Sequence, residues 1–308
     1  MLFWGTPAFA TPPLRALLGE GFDVVGVITQ PDKAVGRSRS KLQPSAVKQV
    51  ALEESLPVLQ PEKPRGAEFL QQLRELAPDI SVVVAYGHIL PREVVDSPPR
   101  GTLNIHASLL PALRGAGPIQ AVIREGHART GVSIMRMVPK LDAGPVILQL
   151  ATPVNEDETY GELALRLSEL GAAALIESLA LLELGKAREE PQDDSAATYA
   201  PKIDRQVTRV NWARDARDVS RAIRAYDPRP GAFATIGGQE VKLFGARLAP
   251  RQESSQQGEV IAAADDGLVV ACAEGAVRVL QVQPAGKRRM SAGEWLRGRG
   301  IAVGQRFE

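Results

Sequence analysis

Asn104 and His106 stand two residues apart in "TLNIHASLLP", so on a β-strand their side chains share one face. An amide and an imidazole held together can both donate to an oxyanion forming on a carbonyl carbon. Asp142, in "PKLDAGPVIL", lies in a tight turn between two apolar β runs, from which a carboxylate can raise and hold the proton affinity of an imidazole. An Asn, a His and an Asp without a Ser, Cys or metal partner suit direct acyl transfer to an incoming nucleophile. A satisfied core histidine, a turn-capping asparagine and an aspartate stabilising its own turn would use the same letters. The other two histidines are weaker candidates: His127 sits in a polar helix-end stretch, and His88 has no polar neighbour two residues away.

These groups need a scaffold that presents them at one edge. "LFW", "VVGVIT", "PVLQ", "ISVVVAY" and "TLNIH" read as strands, mostly continuous apolar, as expected when helices cover both sheet faces. Amphipathic stretches at 9–18, 45–55, 67–76 and 118–125 lie between them, which predicts a Rossmann-like, open, mainly parallel α/β sheet. In such a sheet, ligands bind beyond the carboxyl ends of the strands, where the 108–117 loop follows His106. "GVSIMRMV" and "GPVILQLATPV" add two strands, and 159–185 is a long helical region. "GTPAFA" has neither the Lys-Ser/Thr of a phosphate loop nor the glycine spacing of a dinucleotide site, and reads as a tight first turn.

The character changes at 187–209, which is polar and poor in large apolar residues. The expected division is a catalytic domain at 1–189, a linker at 190–208 and a C-terminal domain at 209–308. In the last of these, short strands separated by glycine-rich turns predict an OB-like β-barrel. Residues 1–206 carry 21 Lys/Arg against 25 Asp/Glu, and 207–308 carry 16 against 11, so a basic module follows a mildly acidic body. That asymmetry suits a polyanionic partner.

A single cysteine, Cys272, excludes an intrachain disulfide and a thiolate zinc cage, and no metal site is expected. No apolar run approaches the roughly 20 residues that span a bilayer. With no signal-like leader at the start, the expectation is a cytoplasmic protein with no membrane association.

The stretches "FWGTPAFA", "VVVAYGHILP", "NIHASLLPALRGAGPIQ", "TGVSIMRMVPKLDAGPVI", "IRAYDPRPGAF" and "LQVQPAGKRRMSAGEWLRG" together resemble the folate-dependent formyltransferases. The C-terminal motifs narrow the resemblance to the branch that formylates methionyl-tRNA. It implies catalytic roles for Asn104, His106 and Asp142, and 10-formyltetrahydrofolate as donor in a site that includes Ser108, Leu109, Leu110 and Pro111. It also implies initiator methionyl-tRNA as partner of a monomeric enzyme. The cationic segment "QPDKAVGRSRSKLQPS", with Lys33, Arg37, Arg39 and Lys41, would reach the tRNA acceptor stem, while Lys287, Arg288 and Arg289 add cations to the basic module. Ala107, Leu113, Ala143 and Arg229 depart from the family pattern, and none of these positions carries a catalytic group. A formyltransferase acting on a small amine would keep the Asn-His-Asp group without needing the basic module or the 33–41 cluster.

Overall fold

In the computed structural model, which describes residues 1–35, 41–250 and 254–308, the chain forms two compact units. Met1–Gly115, Thr130–Thr152 and Ala164–Tyr199 make the first, and Ala116–Arg129, Pro153–Leu163 and Ala200–Glu308 the second. Each unit therefore takes three separate stretches of chain. The polar stretch 190–208 is shared between them, with residues up to Tyr199 packed into the first.

In chain order the elements up to residue 200 are β1 (Leu2–Gly5), α1 (Thr11–Gly19), β2 (Gly26–Ile28), β3 (Lys33–Val35), β4 (Lys41–Gln43), α2 (Ala46–Glu53), β5 (Val58–Leu59), α3 (Ala67–Leu76), β6 (Ser81–Val84), α4 (Arg92–Val95), β7 (Thr102–His106), α5 (Pro118–Glu125), β8 (Arg129–Arg136), β9 (Val146–Pro153) and α6 (Tyr160–Glu183). The seven-stranded sheet of the first unit runs β5-β2-β1-β6-β7-β8-β9. Its first five strands are parallel, and β8 turns antiparallel to β7. β1 ("LFWG") and β6 ("SVVV") are buried at every residue, which is why they read as unbroken apolar runs. Trp4 anchors one core layer, meeting Phe69 and Tyr86 edge-on at 6.0 and 5.2 Å between ring centroids. β7 lies between β6 and β8, its Asn104 opposite Val83 and Met135 and its His106 opposite Ser133. The candidate residues thus sit inside the sheet, where strand register fixes them.

Beyond residue 200 follow α7 (Ala216–Ala225), β10 (Ala232–Ile236), β11 (Gln239–Ala249), β12 (Val260–Ala264), β13 (Gly267–Ala271), β14 (Ala276–Pro284), β15 (Met290–Ser291) and α8 (Ala292–Arg297). The strands form an antiparallel sheet in the order β10-β11-β14-β13-β12, with β15 also on β14. The last residues touch both edges of that sheet. The Val260 amide donates to the Gln305 carbonyl on the β12 side, while Thr235 on β10 exchanges two hydrogen bonds with Glu308. Between these contacts Phe307 is 2% exposed and packs against Trp212 and Trp295, at 5.7 and 6.4 Å between centroids. Among the described residues, no helix is long and apolar enough to cross a membrane.

Deleting a buried aromatic ring costs about 3–5 kcal/mol. Phe307→Ala is expected to lower stability to urea by that order, whereas Val303→Ser, at an exposed position nearby, leaves the midpoint unchanged. Equilibrium urea unfolding followed by tryptophan fluorescence checks both.

Candidate active site

The imidazole of His106 is almost fully enclosed, with a side chain 6% exposed, so both of its nitrogens need partners. Nε2 lies 2.9 Å from the Leu113 carbonyl oxygen. A carbonyl only accepts, so Nε2 carries the proton, and Nδ1 is the nitrogen left free to change its protonation state. Nδ1 faces the Asp142 carboxylate, with Oδ2 at 3.7 Å. That same oxygen accepts the Gly115 amide at 2.7 Å. The sequence pairing of His106 with Asp142 is therefore present as an ion-pair approach, and the carboxylate is locked from its far side by backbone.

Leu113 and Asp142 both adopt left-handed backbone, with φ of +59° and +46°. In a non-glycine residue this costs roughly 1–2 kcal/mol and persists only where neighbours hold it. The Asp142 turn is closed by Gly144, where an added Cβ would fall 1.8 Å from the Arg136 carbonyl oxygen. Glycine is required there by close approach of the β8–β9 hairpin backbone.

Asn104, half-buried on the same strand, makes no side-chain hydrogen bond to any described residue. Its amide donors and carbonyl acceptor are thus not engaged by side-chain hydrogen bonds among the described residues. The loop after His106 folds back onto the sheet through Ser133, the residue paired with His106 in register. The Ser133 hydroxyl donates to the Ser108 carbonyl at 2.7 Å and accepts the Leu110 amide at 3.0 Å and Gln149 Nε2 at 2.8 Å. Gln149 also donates to the Leu110 carbonyl at 2.8 Å. Of the four loop residues picked from sequence, Ser108 and Leu110 are buried, and the Ser108 hydroxyl is turned inward onto the Ala112 carbonyl. Leu109 and Pro111 remain part-exposed and offer the apolar contact. Ser133 and Gln149 were not singled out in the sequence; a lone amide in the apolar run "VILQL" was the available signal.

The cations divide. Lys33 is exposed on β3. Arg37 and Arg39 lie outside the described residues, as does the side chain of Lys41. The base of that segment is anchored by Asp32, whose carboxyl is held below its usual range by hydrogen bonds from Lys48 and then Gln60. In the second unit Lys287 is exposed, and Arg288, 81% exposed, pairs with Glu294 at 3.3 Å. Arg289 is placed differently from these two neighbours. It donates to the buried Asp227 carboxylate at 2.9 Å and to Gln281 at 2.6 Å, and lies 4.0 Å over the Phe244 ring. It is engaged within its own unit, with its side chain 35% exposed. Among the described residues, no group of three or more His, Cys, Asp or Glu is placed to hold a metal ion.

Comparison with known proteins gives matches to two family profiles, formyl transferase over residues 1–179 and the formyl transferase C-terminal domain over residues 202–300. The methionyl-tRNA formyltransferase of Magnetococcus marinus is 46% identical over 307 residues, covering all of this chain and 97% of its own. That of Geobacillus thermodenitrificans is 44% identical over 310 residues, with 100% and 97% covered. Among solved structures, HypX from Aquifex aeolicus in complex with tetrahydrofolic acid is similar with a TM-score of 0.68 at 22% identity, over 96% of this chain and 47% of that one. Methionyl-tRNA formyltransferase from Clostridium thermocellum gives a TM-score of 0.57 at 12% identity, over 80% and 92%. The two structural likenesses concern the fold.

Removing a buried hydrogen-bonding hub leaves its partners unsatisfied, at about 1–3 kcal/mol. Ser133→Ala is expected to lose that much stability and to speed amide exchange at Leu110. Hydrogen exchange read residue by residue checks the second part.

Proposed function

The chain belongs to the formyl transferase family, and from that premise we propose that it moves the formyl group of 10-formyltetrahydrofolate to the α-amino group of methionine esterified to initiator tRNA. The observation that carries the reading is end-to-end identity to methionyl-tRNA formyltransferases, through both the catalytic and the C-terminal family profiles. The enclosed His106–Asp142 pair beside the Asn104 amide supports it chemically.

The α-amino group is available as a free base because such groups titrate near pH ~8 and an esterified carboxyl lowers that further. Its nitrogen attacks the formyl carbon, and the carbonyl π pair moves onto oxygen. The oxyanion accepts hydrogen bonds from the Asn104 amide and from Nδ1–H of a His106 that enters the step protonated, since Nε2–H is already donated to Leu113. Asp142 stabilises that imidazolium. Collapse breaks the bond from the formyl carbon to the folate nitrogen, which gains a proton as the attacking nitrogen loses one. In this reading Leu109 and Pro111 contact the folate, while Ser108 and Leu110 shape the loop.

Residues 1–189 carry the transfer chemistry and 209–308 hold tRNA, and the enzyme acts as a monomer in the cytoplasm. Two sets of cations share the tRNA: Lys33, Arg37, Arg39 and Lys41 in the first part of the chain, and Lys287 with Arg288 on the C-terminal module. Arg289 is left out of this set because its charge is spent on Asp227.

Asn104→Ala and His106→Ala are each expected to cut single-turnover formylation by about 10²–10³-fold, the usual cost of a lost oxyanion donor, while tRNA binding survives. Near-normal rates in both variants would overturn the site assignment. The substrate is checked by comparing charged initiator tRNA, elongator methionyl-tRNA and free methionine as acceptors, with the first alone expected to turn over well.

Each neutralised phosphate contributes about 0.7–0.9 to the steepness of log affinity against log salt. Arg288→Ala is expected to flatten the slope for tRNA by that amount and Arg289→Ala to leave it unchanged, as measured by filter binding across a salt series.

A further inference from the structure

The stretch from Glu189 to Thr198 ties down both loops that frame His106. The Leu113 amide donates to Thr198 Oγ1 at 2.8 Å, and the Arg114 amide donates to the Thr198 carbonyl at 2.9 Å. Arg114 is fully buried, and its guanidinium donates to Asp194 at 2.8 Å. Its Nε and a terminal nitrogen also donate to Gln192 Oε1, at 3.1 and 2.8 Å. From the other end of the same carboxamide, Gln192 Nε2 donates to the Asp142 carbonyl at 2.9 Å and the Gly144 carbonyl at 2.7 Å.

One carboxamide thus adds a second tie between two loops already joined where the Gly115 amide meets the Asp142 carboxylate. On one side it holds Arg114, whose neighbours Leu113 and Gly115 supply the carbonyl for His106 and the amide for Asp142. On the other it holds the turn in which Asp142 is left-handed. The position requires a group that accepts twice and donates twice, and only a carboxamide does both. A carboxylate there would keep Arg114 and repel the two carbonyls; an ammonium would do the reverse.

We propose that Gln192 is a positioning residue for formyl transfer, setting the approach of the Asp142 carboxylate to His106 by fastening the Asp142 turn to the Arg114 loop. The proposal rests on the catalytic reading of His106 and Asp142 given above. It acts through geometry alone: the Gln192 carboxamide bonds Arg114 and the Asp142 and Gly144 carbonyls, not the imidazole.

The discriminating variant is Gln192→Glu, which preserves the Arg114 contact and removes the hold on the turn. Single-turnover rate with enzyme in excess, tRNA affinity and urea midpoint are measured for it, for Asp142→Ala, and for Glu189→Gln. The last alters the same stretch where its carboxylate pairs with Arg136. Displacing a reacting constellation slightly can cost on the order of 10²-fold in rate without loss of affinity. Gln192→Glu is expected to slow the chemical step about 10- to 100-fold with tRNA affinity within about twofold of the parent, and Glu189→Gln to match the parent. With saturating enzyme in excess the observed rate constant does not depend on the folded fraction, so a lowered midpoint leaves the result readable. A parental rate in Gln192→Glu with a slow Asp142→Ala overturns the role of Gln192, as does equal slowing in Glu189→Gln. A parental rate in Asp142→Ala overturns instead the catalytic reading on which the proposal rests.

Discussion

A buried imidazole has two nitrogens to satisfy, and the way His106 meets that demand organises everything around it. Its protonated nitrogen is answered by a main-chain carbonyl seven residues on, which the chain can present only by turning Leu113 left-handed. Its other nitrogen is answered by a carboxylate on a turn that must likewise hold a left-handed residue. Neither turn is favourable alone. Each is held by partners contributed from elsewhere: the Gly115 amide, the Thr198 hydroxyl, and Ser133 directly across the strand pair. The imidazole is consequently held in one ring orientation before any substrate arrives, the preorganisation on which electrostatic catalysis depends.

The parts of this arrangement that obey local rules were legible in the sequence. Alternation along "TLNIH" placed Asn104 and His106 on one face because β-strand geometry allows nothing else. The long apolar helix and the glycine-punctuated strands of the C-terminal half followed from periodicity and turn chemistry. The short α8 was passed over although Ser291 and Glu294 form a reciprocal capping box that its sequence spells out. What stayed hidden depends on contacts far apart in the chain. Gln192 and Thr198 sit in a stretch that composition reads as a linker, because polar residues that serve as anchors look like polar residues that serve as spacers. Their partners are about 50 to 85 residues away.

Charge counting is likewise silent on where the Arg289 guanidinium is placed. The count registers a cation but not whether water or a carboxylate surrounds it. Asp227 is buried, and leaving its charge unpaired would be costly, so the neighbouring guanidinium is held within the unit. Lys287 and Arg288, adjacent in sequence, remain at the surface. Three consecutive basic residues therefore do two different jobs, one cohesive and two outward-facing.

The interleaving of the two units bears on how such a chain can be inherited. Helix α5 and the segment Pro153–Leu163 pack with residues beyond 200, although both are encoded well before the 190–208 stretch. An exchange of coding sequence at the 190–208 stretch would join one lineage's sheet and α5 to another's α7, splitting contacts such as those between α5 and α7 across two ancestries. A cut at this joint, permissive as it looks in the letters of the sequence, therefore divides one compact unit rather than separating two.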